Sequence, residues 1–236
     1  MRIWDVNPGY LNRQSLLGEH REIHGLFNIV VQGKKGYSRH PETLRWYGKV
    51  PLIKERHDLL VSEMTLRGYN HHSPLTLDAD ATNSMSAGAI YINPPHEQYD
   101  ILNGKYMERE KGRIPLPGNC QVLWAQHKYS VMAREPKYYK EIGPLIAAEA
   151  TPVLFKRLCG EFVELLAVRP VPGRLMNALL HMWGYFRSFG NTSAPPESPA
   201  RLMSEIRSLT LLYNVTYLLH STALSDLDRI ASADSD

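Results

Sequence analysis

The sequence predicts an all-α, mainly helical protein: a bundle-like N-terminal half with long loops, packed on a C-terminal helical half. Between Leu16 and Val30 apolar residues recur at i, i+3/i+4 and i+7, the period of a helix with one buried face. Helix-opening prolines follow along the chain at Pro41, Pro51, Thr151-Pro152, Val171-Pro172 and Ser198-Pro199. At 236 residues, 43% of them hydrophobic, the chain is long enough for a real core.

Taken in order, the chain turns at Asn7-Pro8-Gly9 and enters its first helix behind Asn12, a side chain that caps well. Gly33 is a natural residue to end that helix. Leu16, Ile23, Leu26, Phe27 and Val30 form its buried face, while Ser15, Glu19, Glu22 and Leu26 form a second row. The short arm ahead of the helix can fold back over that row, which would bring a primary amine and a carboxylate into one cleft. Gly33 to His40 reads as a flexible basic loop whose Lys34, Lys35 and Arg39 suit phosphate contact. A short helix starts at Pro41 and a longer one runs from Pro51 to Gly68. In the longer helix Leu52, Leu59, Leu60, Met64 and Leu66 are expected in the core, with Lys54, Glu55, Arg56 and Asp58 on the wet side.

Residues 69–118 are rich in Asn, His, Pro, Gly and Asp, with short helical runs at HEQYDIL and YMERE. From Gln121 the pattern is strongly helical: VLWAQHKYSVMA, PKYYKEIGPLIAAEA, VLFKRLCGEFVELLAV behind Thr151-Pro152, and GRLMNALLHMWGYFR behind Val171-Pro172. GNTSAPPES is a linker, and Ser198-Pro199 opens a long last helix through about Leu219. The polar tail ASADSD is expected to be disordered.

The net charge of +3 is unevenly spread. Residues 1–140 hold 19 Lys and Arg against 14 Asp and Glu, a net of +5, whereas 141–236 hold 8 against 10, a net of −2. A basic first half suits a polyanion. With only Cys120 and Cys159, neither a disulfide framework nor a Cys-based zinc site is indicated. No secretory signal and no apolar run long enough for a membrane span occur, so a cytoplasmic protein is expected, without membrane contact. His20 and His24 at i, i+4 lack the Glu that a zincin places after its first His. Arg21 stands there instead, so no metal site is expected, and His71, His72 and His96 read as surface residues.

The opening stretch carries Arg2-Ile3, Gln14, Leu16-Leu17 and Glu19-His20-Arg21-Glu22 in one register without a gap. A second set follows at Trp46-Tyr47-Gly48-Lys49 and Lys54-Glu55-Arg56, ending in LRGYN at 66–70. With these motifs in this order, residues 1 to about 140 resemble the pyrimidine-dimer DNA glycosylases of the phage endonuclease V type. The segments HKYSVMAREPKYYKEIG and MNALLHMWGYFR, with the long closing helix, resemble the uncharacterised YbgA-type helical domain over about 121–222. The expected division is 1–120 and 121–236, with the helix 121–134 available to both.

The first resemblance implies a glycosylase with abasic-site lyase activity. Such an enzyme excises cyclobutane pyrimidine dimers from double-stranded DNA through a Schiff base, with no metal or organic cofactor. It places Met1 on the nucleophilic N-terminal residue and Glu22 on the catalytic carboxylate, with Arg21 beside it. An α-amino group has a reference pKa of about 7.7–8.0, so roughly 10–15% of it is neutral at pH 7, against less than ~0.1% of an ordinary Lys. The large Arg2 side chain favours retention of Met1. Arg2 and Arg21 are candidates for the flanking phosphates, with Gln14 at the matched Gln. Lys137, Tyr138 and Tyr139 match the aromatic-basic C-terminal end of the phage-type enzymes. Two positions depart from the pattern: Ser15 stands where those enzymes carry His, and Gly25 where they carry a second Arg. His24 is a candidate to take over that last contact. The alternative of a different class is a non-catalytic nucleic-acid-binding or scaffold protein, using Lys34, Lys35, Arg39, Lys137, Tyr138 and Tyr139 as its surface. Bound to damaged or abasic DNA, the protein would sit at the nucleoid; protein partners are not indicated.

Overall fold

The structure, a computed structural model, describes residues 1–77, 91–190 and 193–233. Among the described residues it has eleven α-helices and no strand, so the fold is all-α. A 3-10 turn at Pro8–Tyr10 leads into α1 (Arg13–Gln32), followed by α2 (Pro41–Leu44), α3 (Val50–Leu66) and α4 (Pro95–Lys105). The second half comprises α5 (Cys120–Arg134), α6 (Pro136–Ala148), α7 (Pro152–Leu166), α8 (Pro172–Gly184), α9 (Pro199–Leu212), α10 (Thr216–Leu219) and α11 (Ala223–Ala233).

Local chemistry sets several of these ends. The Asn12 side chain accepts from the Ser15 N–H at the start of α1. Gly33 ends that helix at φ 65°, a left-handed conformation that glycine adopts without steric cost. Thr151 caps α7 by accepting from the Leu154 N–H, with Pro152 in the first helical position.

Two apolar cores share the helix at their boundary. One joins the arm (Ile3, Trp4, Val6, Tyr10, Leu11) to Leu16, Ile23 and Leu26 of α1, Ile53 and Leu60 of α3, and Phe162 of α7. The other gathers α8, α9, α10 and α11 around Met182, Phe186, Met203 and Leu227. α5 contributes Leu123 and Val131 to the first and Tyr129, Met132 and Ala133 to the second. α11 packs on α3, where the Ser62 hydroxyl donates to Asp228 at 2.7 Å. It also packs on α5, where Arg134 meets Asp226 in an ion pair whose side chains are each 1% exposed. Arg134 directs its other N–H groups to the carbonyls of Ser130, Leu166 and Val168. A buried guanidinium with every donor used is held firmly. Removing one partner of such a pair typically costs about 3–5 kcal/mol.

The structure corrects four expectations. The last long helix is broken: α9 stops at Leu212, Asn214 takes φ 48°, and α10 and α11 follow as separate pieces. Asn is among the residues that tolerate a left-handed φ, so an apolar rhythm running through it does not guarantee a helix. Residues 231–233 belong to α11 rather than to a disordered tail, and residues 234–236 lie outside the described residues. YMERE is not helical, because α4 ends at Lys105 and the chain turns after it. Arg56 is buried and does not face water. Residues 78–90 of the polar stretch 69–118, and residues 191–192 of the linker, lie outside the described residues.

Candidate active site

The arm reaches the face of α1 that carries Glu19 and Glu22, and it is fixed there residue by residue. Ile3 and Val6 are fully buried and Trp4 nearly so, which leaves the backbone between them facing the helix. The Trp4 N–H donates to Glu19 Oε1 at 3.1 Å, and one turn further along α1 the Arg2 N–H donates to Glu22 Oε2. The Met1 amine then lies 3.8 Å from Glu22 Oε1. The Met1 side chain is 6% exposed while that of Glu22 is 40% exposed, so the amine is anchored beside a carboxylate that solvent can reach.

A second layer of charges holds this layer in register. Arg56 of α3 grips both oxygens of Glu19 at 2.7 and 3.0 Å and donates to the Val6 carbonyl at 2.9 Å. A bidentate guanidinium–carboxylate pair restricts orientation as well as distance. Arg45 donates to the Ile3 carbonyl at 2.7 Å and to Asp5 at 2.9 Å. Gln98 of α4 closes on Asp5 from the other side, accepting from its N–H and donating to its carboxylate, both at 2.8 Å. Further along the arm, Gly112 passes so close to Tyr10 that a Cβ there would lie 2.4 Å from the Tyr10 carbonyl, a space only glycine fits. The terminus therefore hangs from a short, fully braced strap, the arrangement a group must have if it is to react at a fixed place.

The other expected site residues are placed less uniformly. Arg21 is exposed beside Glu22, its Nε 3.4 Å from the Leu17 carbonyl of its own helix. Gln14 is exposed in the first turn of α1, and Lys34, Lys35 and Arg39 are exposed beyond its C-terminus. Arg2 is already engaged: its guanidinium donates to Asn93 at 2.7 Å and lies over the Trp4 ring at 4.6 Å. Lys137 is exposed on α6, but Tyr138 donates its hydroxyl to Glu161, and Tyr139 packs against Trp124 with ring centroids 5.3 Å apart.

His24 has a different setting. It lies 4.8 Å, ring centroid to centroid, from His20 and 5.0 Å from His57, and His71 completes the group at 5.1 Å from both His20 and His57. Burial, and then the neighbouring imidazoles, push His20 down to about 4 and lower His24 and His71 as well. These shifts all favour the neutral ring. The expectation that His71 is simply a surface residue does not hold, because it packs into this group. The i, i+4 pair is visible in the sequence, but His57 and His71 join it only through the packing of α3 and the segment after it. Helical spacing also gives no sign that Arg56, Arg45, Asp5 and Gln98 support the arm, although Lys54-Glu55-Arg56 is one of the motifs shared with the phage-type enzymes.

Comparison with known families bears directly on this geometry. Residues 1–77 match the pyrimidine dimer DNA glycosylase family. The matched glycosylase segment contains Met1, Glu19, Glu22, Arg56 and all four clustered histidines. Residues 128–197 match a second family, described as a protein of unknown function (DUF1722). Comparison with curated proteins and with solved structures returned no match. The glycosylase match supports a general role in the excision of pyrimidine dimers, hence in DNA repair with DNA as substrate. Among the described residues no helix is long and apolar enough to cross a membrane.

Proposed function

We propose that the protein excises cyclobutane pyrimidine dimers from duplex DNA and then cleaves the strand at the abasic site, with the Met1 amine as nucleophile. The observation that carries this reading is the Met1 amine 3.8 Å from the Glu22 carboxylate, at the end of a braced arm. In this scheme the neutral amine attacks C1′ of a damaged nucleotide, the glycosidic C–N bond breaks, and the freed pyrimidine takes up a proton while staying joined to its neighbour through the cyclobutane ring. The C1′–O4′ bond then opens, O4′ taking a proton, and the nitrogen and C1′ are joined as an iminium, whose positive charge Glu22 stabilises. Glu22 next takes the proton from C2′, and the C3′–O bond breaks with the phosphate as leaving group. Water hydrolyses the imine and returns the free amine. Arg21, with its guanidinium on the surface next to Glu22, is assigned to a flanking phosphate, and Lys34, Lys35 and Arg39 to phosphates further along the duplex. Arg2 contributes through its backbone N–H to Glu22 and by bracing Asn93.

Catalysis belongs in this proposal to residues 1–120, and α5 is the helix shared with the second half. The test is reduction with borohydride during reaction on dimer-containing or abasic duplex. A covalent protein–DNA adduct at the Met1 nitrogen, located by mass spectrometry, is the expected result. A folded protein that binds the duplex but yields no reducible adduct would be a scaffold, and the reading would be wrong.

DNA affinity offers an independent check on the exposed cations. Arg21→Ala, or Lys34→Ala combined with Lys35→Ala, should weaken binding and flatten the slope of log K against log salt by about 0.9 for each phosphate left without its cation. An unchanged slope would mean that these side chains face away from the duplex.

A further inference from the structure

We propose that His20, His24, His57 and His71 form a structural binding site for one divalent first-row transition-metal ion of the zinc type. The four come from three parts of the chain: α1 supplies His20 and His24, α3 supplies His57, and the segment after α3 supplies His71. One ligand atom from each lies within 4.8 Å of all the others. Zinc–nitrogen bonds of about 2.0–2.1 Å imply an edge of about 3.4 Å in an ideal tetrahedron, so modest ring rotations close the site.

The hydrogen bonding points to an occupant. His20 is 9% exposed and His57 1% exposed, and Nε2 of each is buried without a hydrogen-bond partner. Buried polar nitrogens are nearly always satisfied, and two orphans in one cluster of imidazoles are what missing coordination bonds would leave. The other ring nitrogen of His57 is already set: Nδ1 engages Asp58 Oδ1 at 3.0 Å, and Lys54 holds the second Asp58 oxygen at 2.5 Å. A carboxylate behind an imidazole fixes its tautomer and directs Nε2 to a metal. His57, Asp58 and His71 also line a cleft of about 670 Å³, which gives an ion a way in.

The donor set selects the ion. Four neutral nitrogens without a thiolate or a directly placed carboxylate suit Zn²⁺ and its neighbours in the first row, and poorly suit Mg²⁺ or Ca²⁺, which take oxygen ligands. Four protein ligands fill a tetrahedron, so the ion would staple α1, α3 and the following segment together and leave no position for substrate. It would also be separate from the amine chemistry. His24 follows Glu22 by two residues, which is about 200° around a helix, so the two lie on nearly opposite sides of α1.

The test uses the full chain and Zn²⁺ alone, titrated against a chromogenic competing chelator and followed in parallel by thermal unfolding. One equivalent of Zn²⁺ should bind and raise the melting temperature, with no response to Mg²⁺. Asp58→Asn, which leaves all four rings in place, should weaken Zn²⁺ binding about 10–100-fold. His71→Gln should weaken it further, and His72→Gln, at the exposed neighbour, should bind like wild type. Absence of stoichiometric Zn²⁺ binding would overturn the proposal, as would equal binding by wild type, Asp58→Asn and His71→Gln. If His71→Gln fails to fold, the Asp58→Asn comparison decides alone.

Discussion

A single residue added ahead of Met1 should abolish both base excision and strand cleavage while leaving the fold intact. Two effects act together. The extension turns the Met1 nitrogen into an amide, which is not nucleophilic. It also moves the new amine by up to about 3.3–3.6 Å, as far as the whole near-attack distance of about 3–3.5 Å. Misplacement by even 1 Å can cost about 100-fold, so the expected loss exceeds that value. The arm is held at Ile3, Trp4, Asp5 and Val6 by groups that the extension does not touch, so circular dichroism and DNA binding should stay near wild type. Removing the extension proteolytically to regenerate the Met1 amine should restore cleavage. A folded, extended protein that cuts abasic duplex at the native rate would eliminate the amine as nucleophile.

The second large effect is expected at Glu22. Glu22→Gln retains an oxygen to accept the Arg2 N–H, and the side chain is 40% exposed, so little structural cost arises. The amide cannot carry the charge that faces the iminium, nor can it accept the C2′ proton. Losing a positioned acid–base group typically costs about 10²–10⁴-fold, and strand cleavage should fall within that range with duplex affinity little changed. Single-turnover cleavage of abasic DNA, measured beside binding at fixed salt, separates the two. A variant within severalfold of wild type would show that the carboxylate only anchors the arm.

The parts of this fold legible from sequence are those decided by neighbours in the chain. Asn12, Gly33 and Thr151 mark helix ends by hydrogen bonds or φ values confined to a few residues, and each does so in the structure. The meeting of Met1 and Glu22 could also be anticipated, because a turn and a short arm leave few places for the amine to go. Arg56 was not legible in this way. On helical spacing alone it joins Lys54, Glu55 and Asp58 as a wet face, and its burial depends on Glu19, 37 residues away, offering a carboxylate across the core. The histidines fail for the same reason. Sequence shows one i, i+4 pair, whereas the four-ring cluster exists only once two helices and a loop have packed. Asn214 is the local counterpart of this problem, a residue whose backbone φ of 48° interrupts an otherwise convincing apolar rhythm.

The packing of α11 on α3 has a consequence for the order in which the protein is made. Ser62 and Asp228, which join these helices, are 166 residues apart. At translation rates of about 5–20 residues per second, α3 waits roughly 8–33 s for that partner to be synthesised. During that interval α3 lacks the helix that covers one of its sides, yet it already carries the Arg56 that orients Glu19 and, through it, the arm. The groups that brace the arm, Glu19, Arg45, Arg56 and Gln98, all lie within the first 98 residues, so the arm has its partners long before α11 closes over α3.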